Sequence, residues 1–223
     1  MKKKVVPQLF CLDAPYSVNA ETYRTLRTNI RYSRMSRNIK SMLVTSALAG
    51  EGKTTTVANL AVVMAQADQK VLLIDGDLRK SSLHHLFTIS NAVGLTNMLV
   101  EEMHIDDAIQ SIPGLSLDVI SSGPNPPMPA ELLSSPGMSQ LLSWGQQHYD
   151  IVLLDTPPLL PVTDALELAK RVEGVLLVLR SGKVLREHVE KSKKLLDHVG
   201  ATLIGTVLND KKIKKKETYY YRT

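Results

Sequence analysis

The 223-residue chain holds one cysteine, Cys11, so an intrachain disulfide is excluded and a reducing compartment is expected. Long apolar runs are missing as well, and no segment approaches the roughly 20 residues needed to cross a bilayer. The opening MKKKVVPQLFCLDAP has a charged start but no adequate apolar stretch before Pro7 and Asp13, so no secretory leader is expected. No internal repeat is present, and the only low-complexity stretch is a lysine-rich end. Net positive charge is confined to the termini. Of the formal +5, Lys2, Lys3 and Lys4 supply +3, and six basic against two acidic residues from Asp210 onward supply +4, which leaves the body at −2. A body of that charge is no nucleic-acid-reading surface, and no nucleic-acid partner is expected.

What remains is enough to build one core. At 43% hydrophobic content, a chain of this length fits a single α/β domain better than two halves. The expected division is an N-terminal segment over 1–18, a domain over 19–209 and a basic tail over 210–223. Short β-branched runs at 41–47, 70–77, 115–123, 150–158, 174–181 and 201–209 read as strands. Several are apolar at consecutive positions, as strands covered by helices on both faces should be. Helical patterns fall between them near 53–67, 129–147, 161–171 and 184–198. This order predicts an open, doubly wound, mostly parallel sheet of the P-loop NTPase type.

The stretch TSALAGEGKTTT follows the first of these strands and opens an apolar helix. It fits the P-loop template G-x-x-x-x-G-K-[ST] with Ala47 in place of the first glycine, then Gly52, Lys53 and Thr54. Gly50 and Gly52 let backbone amides approach phosphate oxygens, and the helix N-terminus favours anions. The expected nucleotide-binding residues are Ala49, Gly50, Glu51, Gly52, Lys53, Thr54 and Thr55. Lys53 should reach the β and γ phosphates of ATP, while the Thr54 hydroxyl ligates Mg²⁺. Asp75 and Asp77 end the strand VLLIDGD, and Asp155 ends DIVLLDTPP. Carboxylates at the C-terminal ends of parallel strands converge on the ligand crevice of such a sheet. Asp155 fits the role of holding Mg²⁺ through water.

Together SALAGEGKTTT, VLLIDGDLRK, SSGPNPPMPAELL, IVLLDTPP and a C-terminal tyrosine cluster resemble the cytoplasmic catalytic domain of the bacterial tyrosine kinases of polysaccharide co-polymerase systems. The resemblance runs from about Asn19 to the end. It implies an ATP-dependent protein-tyrosine kinase that regulates capsular or exopolysaccharide synthesis, with Lys53, Asp75 and Asp77 as its catalytic group. Asp75 would help hold the metal, Asp77 would act as base or orienting group for a tyrosine hydroxyl, and Asn209 would take a base-edge position. Ser81 stands where the family usually has proline, which implies a local loop difference. The rivals on the same fold are positioning ATPases of the Min/Par kind, whose P-loop carries an extra lysine; here that position is Leu48. A non-catalytic adaptor that binds ATP only to hold an assembly together is the other alternative.

Near the start, NAETYRTLRTNIRYSRM reads as a helix capped by Asn19, with Glu21 in its first turn and Tyr23, Leu26 and Ile30 on one face. Arg24, Arg27, Arg31 and Arg34 follow at helical spacing. By spacing alone they are a solvated stripe; by resemblance, Glu21, Arg24 and Arg27 form the subunit interface of a ring. The chain ends KKIKKKETYYYRT, too charged and too poor in apolar surface to pack. Tyr219, Tyr220 and Tyr221 are therefore presented, and by resemblance they are autophosphorylated between subunits. The resemblance further implies a membrane-bound activator with a cytoplasmic docking segment, a cognate tyrosine phosphatase, other protein substrates, and a cytoplasmic location at the inner face of the membrane through that partner.

Overall fold

The computed structural model describes residues 8–35, 39–101 and 103–211. The tail expected over 210–223, with Tyr219, Tyr220 and Tyr221, lies outside the described residues from position 212 onward. In chain order the elements are α1 (Phe10–Asp13), α2 (Val18–Met35), β1 (Ser41–Ser46), α3 (Lys53–Ala65), β2 (Val71–Asp75), α4 (Leu83–Phe87), α5 (Leu95–Val100), α6 (Ile105–Ala108), β3 (Ile109–Ser111), β4 (Leu117–Ile120), α7 (Pro129–Ser134), α8 (Pro136–His148), β5 (Ile151–Asp155), α9 (Asp164–Ala169), β6 (Gly174–Arg180), α10 (Arg186–His198) and β7 (Leu203–Asn209).

The strands form one sheet in the order β3-β4-β2-β5-β1-β6-β7. All neighbours run parallel except β3, which pairs antiparallel with β4. β1, β2 and β5 are buried along their whole length, which explains their unbroken apolar runs: alternate residues feed opposite cores. Met42, Val44 and Leu73 face one cluster, Leu43, Leu72 and Ile74 the other. Helix α3 is buried from Thr56 to Ala65 without interruption. An all-round apolar helix must be covered all round, and α1 and α2 pack against α3 on the side away from the sheet, with Leu9, Cys11, Ala20 and Ile30 in its core cluster. Each fully buried leucine or valine of these layers contributes about 1.5–3 kcal/mol of transfer free energy.

Several expectations are corrected. The helix read over 129–147 is two helices, α7 and α8, because Pro136 drives Ser135 into an extended conformation and then starts the next helix at its first position. Helix α2 starts at Val18, one residue before the expected cap. Ser17 Oγ accepts the Ala20 amide at 3.2 Å, and Asn19 lies inside the first turn. The short elements α1, α4, α5, α6 and β3 are additions that carry too few periodic residues to be read.

The topology positions the site. β1 lies inside the sheet between β5 and β6, and the chain leaves it first toward β2 and β4, then returns through β5 before continuing to β6 and β7. The reversal lies beside the C-terminal ends of β1, β2 and β5, where this architecture binds ligands.

Candidate active site

The loop between β1 and α3 forms the crest of the site. Gly52 caps α3 with φ +96°, and Gly50 has φ +79°, left-handed conformations that a residue with a Cβ adopts only at a cost. At Gly52 an added Cβ would lie 2.0 Å from Asn209 Nδ2, whereas above Gly50 nothing stands within 4 Å. Ala49 and Gly50 are exposed and Glu51 is buried. The Glu51 carboxylate turns back to accept the Leu48 amide at 2.8 Å and the Arg180 amide at 3.4 Å. Asn209 Nδ2 donates to the Glu51 carbonyl at 2.8 Å. Asn209, expected at the base edge, braces the loop backbone in this structure. Thr55 lies in the first turn of α3, and its carbonyl accepts Asn59 Nδ2 at 2.9 Å.

Lys53 points from this loop into the acidic crevice. Its ammonium lies 2.8 Å from Asp77 Oδ2, 3.6 Å from Asp155 Oδ1 and 3.2 Å from Thr54 Oγ1. The structure thus brings together Lys53, Thr54, Asp77 and Asp155 as read from the sequence. Burial works against the Lys53 charge, but Asp155 and Asp77 outweigh it and hold the ammonium above its ordinary pKa. Asp75 and Asp155 are register partners on adjacent strands, and both are fully buried. Burial, then the Asp155 charge, pushes the Asp75 carboxyl up to about 7. Burial also raises Asp155, against the pull of Lys53 and Thr54.

The two carboxylates differ in their partners. Asp75 Oδ1 accepts the Asp77 amide at 3.2 Å, and Oδ2 accepts the amides of Ser82 and Leu83 at 3.3 and 3.2 Å. It fastens the loop from β2 to α4. Asp155 has Lys53 as an ion-pair partner at 3.6 Å, but neither of its oxygens accepts a hydrogen bond among the described residues, which is costly for buried polar atoms. A hard cation beside Thr54 would supply that partner, so the residues present fit Mg²⁺. Asp75, with three amides on its two oxygens, is the more fully satisfied of the pair. Among the described residues no group of three or more His, Cys, Asp and Glu is arranged to hold a metal by itself, and a P-loop cation needs none, since it keeps several waters and binds phosphate oxygens.

A further support was not legible in the sequence. Arg79, two residues beyond Asp77, makes a bidentate contact to Asp164, with Nε 2.9 Å from Oδ1 and Nη2 3.2 Å from Oδ2. Asp164 opens α9 and is fully buried. In TDALEL it reads as a helix-start residue, and nothing marks its partner 85 positions away. Asp77 itself is held from both sides, by Lys53 on Oδ2 and by the Lys80 amide on Oδ1 at 3.0 Å.

The stripe on α2 is less solvated than its spacing suggests. Arg24 donates to Glu21 at 3.0 Å and to the Pro15 carbonyl at 2.7 Å. Arg27 donates to the Val63 carbonyl of α3 at 2.7 Å. Both are bound within this one chain.

The fold and site define a P-loop nucleotide-binding domain of the doubly wound class, and residues 39–184 match the family model described as AAA domain. The tyrosine-protein kinase YwqD of Bacillus subtilis strain 168 is 46% identical over 216 residues, covering 96% of this chain and 91% of that protein. The solved kinase domain of the Escherichia coli tyrosine kinase ETK superposes with a TM-score of 0.86 at 35% identity, over 96% of this chain and 86% of that one. The cell division ATPase MinD of Pyrococcus furiosus, at 24% identity and TM-score 0.66 over 79% of this chain and 76% of that one, shares the fold alone. The chain belongs to the AAA domain family, among the catalytic domains of the bacterial tyrosine kinases.

Proposed function

We propose that this chain is an ATP:protein-tyrosine phosphotransferase that modifies its own tyrosines, Tyr219, Tyr220 and Tyr221, between subunits, and so regulates capsular or exopolysaccharide synthesis or export. The observation that carries the reading is Lys53, a P-loop cation held 2.8 Å from Asp77. When ATP enters the loop, the exchange of Lys53 from Asp77 to the phosphate oxygens frees Asp77 Oδ2, while Oδ1 stays on the Lys80 amide. The freed oxygen accepts the tyrosine proton as the phenolic oxygen bonds to the γ phosphorus and the bond to the ADP oxygen breaks. The loop amides from Ala49 to Thr55 position the phosphates, and Lys53 neutralises charge that grows on the transferred group. Thr54, Asp75 and Asp155 would hold Mg²⁺; bound there, the cation would screen phosphate charge.

Glu21, Arg24 and Arg27 would contribute to a ring of identical subunits. A membrane-bound activator with a cytoplasmic docking segment, a cognate tyrosine phosphatase and other protein substrates would complete the system at the inner face of the membrane. No helix among the described residues is long and apolar enough to cross a membrane. Residues 210–223 act as the substrate tail.

The test uses γ-labelled ATP and looks for acid-stable phosphate on tyrosine. Asp77→Asn should keep nucleotide affinity and lose about 10²–10⁴-fold in transfer rate. Full-length Asp77→Asn mixed with an active chain truncated after Lys216 should become labelled. Undiminished phosphotyrosine in Asp77→Asn removes Asp77 from the mechanism, and labelling confined to chains carrying both site and tail removes transfer between subunits. Hydrolysis without protein-bound phosphate would mean a positioning ATPase, and binding without either a non-catalytic adaptor.

A further inference from the structure

Arg180 ends β6 and is the register partner of Asn209, which ends β7. Its guanidinium reaches both ways along the rim of the site. Nε and Nη2 lie 2.9 and 2.8 Å from Asp210 Oδ2, and Nη1 donates to the Gly50 carbonyl at 3.3 Å. Its backbone amide faces Glu51 Oε1 at 3.4 Å. Asn209 ties the same loop through the Glu51 carbonyl at 2.8 Å, and its own carbonyl accepts the Ser181 amide at 2.9 Å. Asp210 has φ +58°, a left-handed turn that aspartate and asparagine tolerate better than other residues with a side chain. The first residue after the last strand is thus turned and ion-paired to the arginine that holds the phosphate loop.

We propose that Asp210 is a positioning residue for phosphorylation of the chain's own tyrosines: its pair with Arg180 fixes the root of the C-terminal segment against the P-loop. This rests on the proposed use of Tyr219, Tyr220 and Tyr221 as acceptors. Tyr219 lies nine positions after Asp210 in the sequence. Over a connection of nine positions, the direction in which the first residue leaves the sheet bears on the effective concentration of the acceptors at an active site. An untethered tyrosine substrate gains nothing from the pair. Asp210 is exposed, with 57% of its side-chain surface accessible, so the effect is that of a solvent-facing ion pair, about two- to five-fold in rate.

Asp210→Asn isolates the charge, because asparagine keeps the left-handed turn. Three quantities are measured on full-length protein: the initial rate of labelling at the tail tyrosines by mass spectrometry, the rate on a glutamate–tyrosine copolymer, and the affinity for a fluorescent ADP analogue. The expected result is a two- to five-fold slower tail reaction with copolymer rate and nucleotide affinity unchanged. An unchanged tail rate overturns the inference alone. A common fall of all three overturns it too, since the pair would then merely support the loop. Wild-type protein that labels the copolymer but never its own tail overturns both this inference and the tail assignment beneath it.

Discussion

Lys53→Met removes the ammonium that stands within ion-pair distance of Asp77 and Asp155, at 2.8 and 3.6 Å. The Asp155 side chain is 0% accessible and that of Asp77 6%, so the charges left behind are poorly solvated. Stripping one partner from a buried pair costs about 3–5 kcal/mol, a large part of the roughly 5–15 kcal/mol that holds a typical domain together. Protonation offers an escape whose sign can be worked out. Burial raises both Asp75 and Asp155 above their ordinary values, and Lys53 is among the influences that hold them down. A carboxyl raised in the folded state binds more protons folded than unfolded, so stability falls as pH climbs from about 3.9 through the folded value. Without Lys53 that folded value rises further. Lys53 itself is raised above 10.5, so its own contribution is complete throughout the neutral range and is lost only as pH rises through its folded value. The defect in Lys53→Met should therefore be largest at pH 8 and shrink by pH 6. Urea unfolding without nucleotide measures it: with a slope of about 1–3 kcal/mol per molar, the midpoint at pH 8 should drop by more than about 1 M. Equal midpoints at pH 8, or the same loss at both pH values, would refute the reasoning. The conventional loss-of-function substitution in this loop is in that case also a folding defect, which is why Asp77→Asn is the better inactive chain for mixing experiments.

Reversing Arg24 and Arg27 together should lower stability as well as dissolve an assembly, because their hydrogen bonds to the Pro15 and Val63 carbonyls are charge-assisted and worth about 1.5–3 kcal/mol each; a reduced mass by light scattering with an unchanged urea midpoint would show that these bonds contribute nothing. Binding of Mg·ADP should release protons near neutrality and tighten from pH 6 to pH 8, since Asp75, raised to about 7, must ionise beside the cation. Calorimetry in buffers of different ionisation enthalpy reads this, and an affinity that is flat or falls over the range is incompatible with it.

The central half of this protein is legible in its sequence because its signals are local. The unbroken apolar runs of β1, β2 and β5, the glycines of the phosphate loop and the aspartates that end two strands each lie within a dozen residues. What is not legible depends on contacts between distant residues. The Arg79–Asp164 pair spans 85 positions and the Arg180–Gly50 contact 130, with no periodicity to connect them. Arg24 and Arg27 look solvated by helical spacing, but the turn before α2 brings the Pro15 carbonyl to Arg24, and the seating of α2 on α3 brings the Val63 carbonyl to Arg27. The split of the helix at Ser135 has a local signal in Pro136, but a proline near a helical pattern marks a start, a kink or a break alike, and only the extended Ser135 decides among them.

The sharpest case is the pair Asp75 and Asp155. Each ends a buried strand after the same kind of apolar run, and the two are directly opposite in register, so by sequence they are equivalent. Their difference comes from the chain that follows. After β2 the Gly76 amide still bonds to the Asp155 carbonyl at 2.8 Å; the backbone then turns over 78–80 and delivers the amides of Asp77, Ser82 and Leu83 to the Asp75 carboxylate. After β5 it continues through Pro157 and Pro158; Pro157 and Pro158 have no amide hydrogen to give, and the Thr156 hydroxyl is spent on the Val44 carbonyl at 3.1 Å. Asp75 therefore acquires donors and becomes a fastening for the loop that carries Asp77. Asp155 is left with Lys53 as its cation and with oxygens for another. The two prolines withhold the donors that would have satisfied this carboxylate, and so keep it available to a metal ion.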